Sequence, residues 1–275
     1  MALKKDGSGN RRVEMEIVVP GTPEQVWQAI ATGAGNTAWF TKTTIDERIG
    51  GELCFDFGAM GSSVGEVTAW EPPRRFGYIE RNWSEGAPPI ATEITITARS
   101  GDQCVVRMVH SLFSSSDDWD DQMEGFESGW PHFFDVLRVY LKHFAGQPAA
   151  SFVTTAIVGG ENLTLWKRLI DALALNGVDA GERRTTPAAP EALSGVIERV
   201  RQQATERIIL MRLDGPSPGV AAFATWDVGP QVHVSVTRYF YGEGAAARAI
   251  ASQQPWQAWL DERFTSDATM VSASV

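Results

Sequence analysis

Cysteine is scarce in this chain: there are two, Cys54 and Cys104, fifty positions apart. Two such residues cannot build a disulfide framework or, by themselves, a four-ligand zinc site, and they fit a reducing cytoplasm. The four histidines, His110, His132, His143 and His233, show neither a glutamate-flanked pair nor close two-residue ligand spacing, so no preformed metal site is expected. Positive charge is in deficit, with 24 Lys and Arg against 34 Asp and Glu. A net charge of −10 repels nucleic-acid backbones and anionic lipid surfaces, and no local basic patch overrides it. No run of about 18 apolar residues occurs, and the N-terminus lacks a signal-peptide apolar segment, so neither membrane insertion nor export is expected.

Aromatic side chains are plentiful: 13 Phe, 10 Trp and 4 Tyr in a chain that is 43% hydrophobic. That composition supplies a core and excludes disorder of the whole chain. At roughly 150 residues per domain, 275 residues make one large domain or two modest ones.

Val13 to Val19 reads as a strand ended by Pro20-Gly21. Thr22 is placed as the N-cap of a helix with Pro23 at its first position and Val26, Trp27 and Ile30 on one face. A long stretch of alternation comes next: Leu53, Phe55 and Phe57; Val67 and Ala69; Phe76 and Tyr78; Ile94 and Ile96; Val106, Met108 and His110. Glycine and proline clusters punctuate it, which is the pattern of an antiparallel meander. Trp130, Phe133, Phe134, Leu137 and Leu141 then recur at helical spacing toward His143, with Pro131 in the first turn or at a kink.

This α+β unit, assigned to residues 13–146, closes at the linker-like Ala145-Gly146-Gln147-Pro148. A second unit, assigned to 150–265, repeats the order with a strand at Ser151 to Val158. Its helix at Asn162 to Leu173 carries Leu163, Trp166, Leu169, Ile170 and Leu173 on one stripe. A shift of 128 positions aligns Gln103-Cys104-Val105-Val106 with Gln231-Val232-His233-Val234, and Gly65-Glu66-Val67 and Gly195-Val196-Ile197 each precede a long apolar hairpin. A divergent internal duplication accounts for this, with two unrelated α+β domains as the alternative. The second half lacks counterparts of Trp39-Phe40 and Gly50-Gly51, and its terminal helix, read from Pro255, is shorter, so a complete cavity is not expected there.

Several features of the first half carry a resemblance. They are Val26-Trp27, Trp39-Phe40, Gly50-Gly51 before Phe55, and Gly65 with Val67 before Pro72-Pro73, then Arg107-Met108-Val109-His110 and Gly129-Trp130. In order and spacing this stretch resembles the START-like (SRPBCC) superfamily, specifically homologues of the heat-shock protein 90 ATPase activator. It departs from that family's usual pattern at Glu80, where an aromatic is common, and at Gly101-Asp102-Gln103, where a Gly-Gly-Thr turn is usual. Over about residues 13–145 the resemblance implies a helix-grip fold, an antiparallel sheet wrapped around a long C-terminal helix with a pocket between them. The second half is similar only through its element order, which assigns it to a divergent copy of the same fold.

Two motif matches are textual only. Gly61-Ser62-Ser63-Val64-Gly65 fits the nucleophile-elbow pattern, but the chain continues from it as strand rather than helix, so it reads as a hairpin turn. Gly33 to Ala38 fits a dinucleotide fingerprint but comes after a helix instead of a strand. The acidic cluster Asp117, Asp118, Asp120, Asp121 and Glu124 lacks EF-hand spacing and reads as the solvated first turn of a helix.

The candidate site is the pocket that the resemblance implies. Strand parity places Phe55 with Phe57, Tyr78 with Glu80, and Met108 with His110 on shared faces; if these are concave, they line one cavity with Trp39, Trp130, Phe133 and Leu137. Ordinary core packing by the same residues is the competing account. Glu80, if it points inward, requires a partner, and His110 is the nearest candidate, as a polar anchor for a ligand or as an acid/base couple. The expected function is non-catalytic binding of a small hydrophobic or aromatic molecule, with no cofactor, by a monomer or homodimer. The alternatives are a protein-interaction module acting on a chaperone, and a cyclase- or hydrolase-type enzyme using the same pocket.

Overall fold

The computed structural model describes residues 4–5, 11–58, 61–81, 83, 86–113 and 120–264, and at 4–5 and 120–128 it gives the backbone alone. Contacts divide the chain into two compact units, Met1–Ala149 and Ala150–Val275.

The first unit begins with strands β1 (Lys4–Lys5) and β2 (Arg11–Pro20) and helices α1 (Pro23–Ala31) and α2 (Gly33–Thr37). Strands β3 (Lys42–Ile45), β4 (Glu52–Asp56), β5 (Ser62–Glu71), β6 (Arg75–Glu80), β7 (Ile90–Arg99) and β8 (Gln103–Leu112) lead to helix α3 (Asp120–His143). The sheet order is β1-β2-β8-β7-β6-β5-β4-β3, and its paired strands run antiparallel. The first long strand therefore pairs with the last, and the strands between them form a meander. Burial alternates along β5 and most of β7, so one sheet face is apolar and meets the helices.

Thr22 caps α1 as expected: its hydroxyl accepts from the Gln25 backbone N–H while the Gln25 side chain accepts from the Thr22 N–H. Gly35 allows α2 to pack tightly on α1, because a Cβ there would sit 1.9 Å from the Gln28 carbonyl oxygen. α3 packs against β2 and α1, and Arg138 donates from Nε to the Val18 carbonyl at 3.0 Å. Pro131 lies well inside α3, because the helix starts eleven residues earlier. A proline forfeits one hydrogen bond, which a helix of 24 residues can absorb.

The second unit runs β9 (Ala149–Gly159), α4 (Asn162–Ala172), β10 (Arg183–Thr185), β11 (Ser194–Gln202), β12 (Glu206–Gly215), β13 (Gly219–Val228), β14 (Gln231–Tyr241) and α5 (Ala245–Phe264). Its sheet order, β10-β11-β12-β13-β14-β9, again places the first strand beside the last. Gln103 and Gln231, aligned in the sequence, are the first residues of β8 and β14. Both units thus have the α+β helix-grip arrangement, and the second is a divergent copy of the first. Its core joins Trp166, Leu169 and Ile170 of α4 to Phe223, Val234, Phe240, Trp256 and Trp259.

Two expectations for this unit change. Leu163 is 37% exposed, and Leu165 takes its place on the buried stripe. The terminal helix starts at Ala245 rather than Pro255, so Pro255 is internal, as Pro131 is in α3. Of the acidic cluster, Asp120, Asp121 and Glu124 fall in the first turns of α3, whereas Asp117 and Asp118 lie outside the described residues.

Candidate functional site

The first unit concentrates its aromatic rings where the sheet meets α3. Trp39 is set by its own indole, which donates to the Ala29 carbonyl at the end of α1 at 2.8 Å. Next to it, Phe40 is the hub. Its ring lies 4.9 Å from Trp130, stacked, and edge-on to Phe55 at 5.4 Å, Phe57 at 5.8 Å and Phe133 at 4.7 Å. Trp130 also stacks on Phe134 at 5.6 Å and on the His110 imidazole at 5.6 Å. From Phe55 the cluster continues to Tyr78 at 5.5 Å. Edge-to-face and offset contacts of this kind add to burial and fix ring orientation.

Polar groups sit among these rings in cross-strand register. Val67 faces Tyr78, Tyr78 faces Thr92, and Thr92 faces His110, so four neighbouring strands present one rung on the inner face. Thr92 Oγ1 and His110 Nδ1 share a hydrogen bond at 2.8 Å. Burial, with the nearby charge of Glu80, pushes the Tyr78 phenol well above its usual range, while a hydrogen bond with Thr92 pulls the other way. Burial lowers His110 to about 4, so at neutral pH the ring is an uncharged hydrogen-bonding group.

One rung further along, Gly65 faces Glu80. A Cβ at Gly65 would stand 3.2 Å from Glu80 Cγ, so the glycine leaves room for the carboxylate. Ser63 donates from Oγ to Glu80 Oε1. Burial raises the Glu80 pKa, and the Ser63 bond partly offsets this by favouring the charged form.

Of the ten sequence-derived residues, Trp39, Phe55, Tyr78, Met108, His110, Trp130 and Leu137 are buried, and Phe57, Glu80 and Phe133 are half-buried. Ring contacts link Trp39, Phe55, Phe57, Tyr78, His110, Trp130 and Phe133 through Phe40, whereas Leu137 lies about one turn further along α3. The Glu80–His110 couple does not form. Strand β7 lies between them, a separation of about two strand spacings, or roughly 9–10 Å, so each takes a nearer partner.

Ser63, Thr92 and Phe40 were not among the candidates. Ser63 belongs to β5 and faces inward, so the expected turn is confined to the residues before it; Phe57 and Gly61 close that turn. Ser63 is no nucleophile elbow, because the chain runs on as β5 and not as a helix. Among the described residues no group of three or more His, Cys, Asp or Glu side chains is placed to hold a metal ion. Nor is any described helix long and apolar enough to cross a membrane.

Residues 20–142 match the family model described as "Activator of Hsp90 ATPase homolog 1-like protein". No curated protein matches the chain. Among solved structures, the chain is similar to the Aha1 dimer from Colwellia psychrerythraea, at 22% identity over 48% of this chain and 96% of that one, with a TM-score of 0.41. It is also similar to DynU16, from the dynemicin biosynthetic locus, at 18% identity over 82% and 86% of the two chains, with a TM-score of 0.42. The di-domain ARO/CYC BexL from the BE-7585A biosynthetic pathway matches at 11% identity over 93% and 99%, with a TM-score of 0.45. Residues 20–142, from the end of β2 to the last turn of α3, are a START-like homologue of the heat-shock protein 90 ATPase activator.

Proposed function

We propose that the first unit binds a small, uncharged, largely aromatic molecule between the inner face of its sheet and α3, without chemically altering it. The observation that carries this reading is the Tyr78–Thr92–His110 rung set among aromatic rings. Polar groups are costly inside an apolar layer unless hydrogen bonded, and a ligand hydroxyl or carbonyl is a partner they can orient. In this reading the ligand enters past Phe57, Glu80 and Phe133, whose half-burial supports that edge. A histidine held at about 4 is a weak base at neutral pH, and general bases work best near the operating pH, which favours binding over catalysis.

The test is fluorescence titration of the full chain with 2-naphthol and with naphthalene, backed by native mass spectrometry of freshly purified protein. 2-Naphthol should bind more tightly, and His110→Ala should remove that preference while circular dichroism stays unchanged. Equal affinities for the two probes would refute the role of the rung. Contact with a chaperone ATPase is the second reading, favoured by the family match. It predicts that the purified chain stimulates a chaperone of the heat-shock protein 90 class; unchanged ATPase turnover counts against it.

A further inference from the structure

The second unit repeats the topology of the first but carries different chemistry at the corresponding rung. There Ile197 faces Met211, Met211 faces Ala221, and Ala221 faces Arg238. Arg238 occupies on β14 the place of His110 on β8, 128 positions earlier. Its side chain is 0% exposed. Across β13 and β12 it faces Ala221 and, beyond that, Met211, neither of which has a side-chain acceptor able to balance a charge.

What balance exists comes from a loop. Arg238 Nη1 donates to Glu191 Oε2 at 2.7 Å, and the Trp256 indole donates to the same oxygen at 3.3 Å. The Glu191 side chain is 25% exposed, so this carboxylate stands between the buried guanidinium and solvent. The loop that carries it is pinned at its base, where the Thr186 N–H donates to the Leu193 carbonyl and the Leu193 N–H donates to Thr186 Oγ1, both at 2.9 Å. Burial lowers the Arg238 pKa, and Glu191 opposes that shift.

The other edge of the guanidinium is the informative one. Nε and Nη2 are buried and meet no acceptor among the described residues. These two donors lie side by side on one edge of the planar group, the fork that grips a carboxylate through two parallel hydrogen bonds. Buried donors in folded proteins are almost always satisfied, so an intact buried fork is a feature that needs an occupant. The surroundings indicate what the occupant carries: the guanidinium lies over the Phe240 ring at 4.8 Å, and Trp256 contacts Phe223 and Trp259.

We infer that the second unit holds an anion site at Arg238, specific for an organic carboxylate with an aromatic body. The ligand carboxylate takes Nε and Nη2 while Glu191 keeps Nη1 and closes the site from the loop. Glu191 neutralises part of the charge the ligand needs, so it also sets an upper limit on affinity.

The experiment is calorimetric titration of the full chain with 2-naphthoate, the neutral 2-naphthamide and inorganic phosphate, together with NMR of the arginine Nε–H resonances. Naphthoate should bind and shift one Nε–H resonance, the one absent from Arg238→Lys, whereas naphthamide, which the first unit is proposed to accept, should leave that resonance in place. Glu191→Gln should tighten naphthoate binding roughly tenfold by removing the competing charge. Arg238→Lys, which keeps a charge but loses the fork, should weaken binding by about tenfold or more. An equal shift of the Arg238 Nε–H resonance with naphthoate and naphthamide, unchanged naphthoate affinity in Arg238→Lys, or no naphthoate binding in both wild type and Glu191→Gln would overturn the site. Phosphate binding with no naphthoate binding would overturn its specificity for a carboxylate on an aromatic body.

Discussion

Replacing His110 with glutamine should flatten the acid dependence of stability. Burial holds His110 at about 4, against an ordinary value of 6.5. Above pH 6.5 the imidazole is neutral in both folded and unfolded chains, and no penalty applies. Between 6.5 and 4 the unfolded chain takes up a proton that the folded chain refuses, so stability falls as the pH falls. The gap of about 2.5 pKa units, at about 1.36 kcal/mol per unit, comes to about 3.4 kcal/mol once the pH is below 4. At pH 5 the same expression gives a loss of about 2 kcal/mol. Glu80 acts in the opposite sense: its raised pKa makes the folded carboxyl bind a proton more readily, so its contribution improves as the pH falls toward 4.5. Because both proteins keep Glu80, the difference between them isolates the histidine. Urea unfolding of wild type and His110→Gln at pH 7.5 and pH 5.0 reads this difference in the transition of the first unit. Wild type should lose about 2 kcal/mol more than the variant over that interval. Parallel losses in the two proteins, or an NMR titration of the His110 ring with a midpoint near 6.5, would refute the reasoning.

Ser63→Ala should raise the Glu80 pKa further, because the hydroxyl that favours its charged form is removed. Carbon-detected NMR titration of the Glu80 carboxyl checks this, and an unchanged or lowered midpoint contradicts it. Gly65→Ala forces a methyl to 2.9 Å from the Ile79 carbonyl oxygen and 3.2 Å from Glu80 Cγ. Overpacking of that kind costs about 1–3 kcal/mol, so thermal unfolding of the first unit should shift down, and an unchanged midpoint would show that the rung has slack.

The scaffold is legible in the sequence where local chemistry and periodicity agree. The Thr22-Pro23 start of α1 rests on capping and proline geometry, and the Gln103/Gln231 correspondence locates the same strand start in both units. Legibility fails where one residue type serves two purposes. Glycines and serines around Ser63 have the composition of a turn, yet Ser63, Gly65, Val67 and Ala69 alternate on the buried face of β5. The small residues there make space for Glu80, a reason visible only across the strand pair. Thr92 lies between Ile90 and Ile94 in the same alternation, so parity alone could have found it. Parity does not reveal distance: Glu80 and His110 share a face, but the intervening strand separates them. Pro131 and Pro255 suggest helix starts because proline is favoured there, whereas each lies in the interior of a long terminal helix beside a tryptophan.

Two copies of one topology come to differ in chemistry through the residues on equivalent rungs. In the first unit the polar load is spread over Tyr78, Thr92 and His110, which are hydrogen bonded and uncharged at neutral pH, so the sheet satisfies them largely from within. In the second, Met211 and Ala221 replace the tyrosine and threonine, and the polar load falls on one guanidinium. A buried charge without a counter-charge is strongly destabilising, so Arg238 must recruit its partner from outside the sheet, and the loop carboxylate of Glu191 answers one edge only. If both proposed sites are occupied as inferred, charge separates their ligands: a neutral hydroxyl or carbonyl suits the first rung, while the second requires an anion. A single substitution at the β8 or β14 position changes the charge of the rung without disturbing the backbone register, and this is how a duplicated fold can diverge in recognition while keeping its strand order.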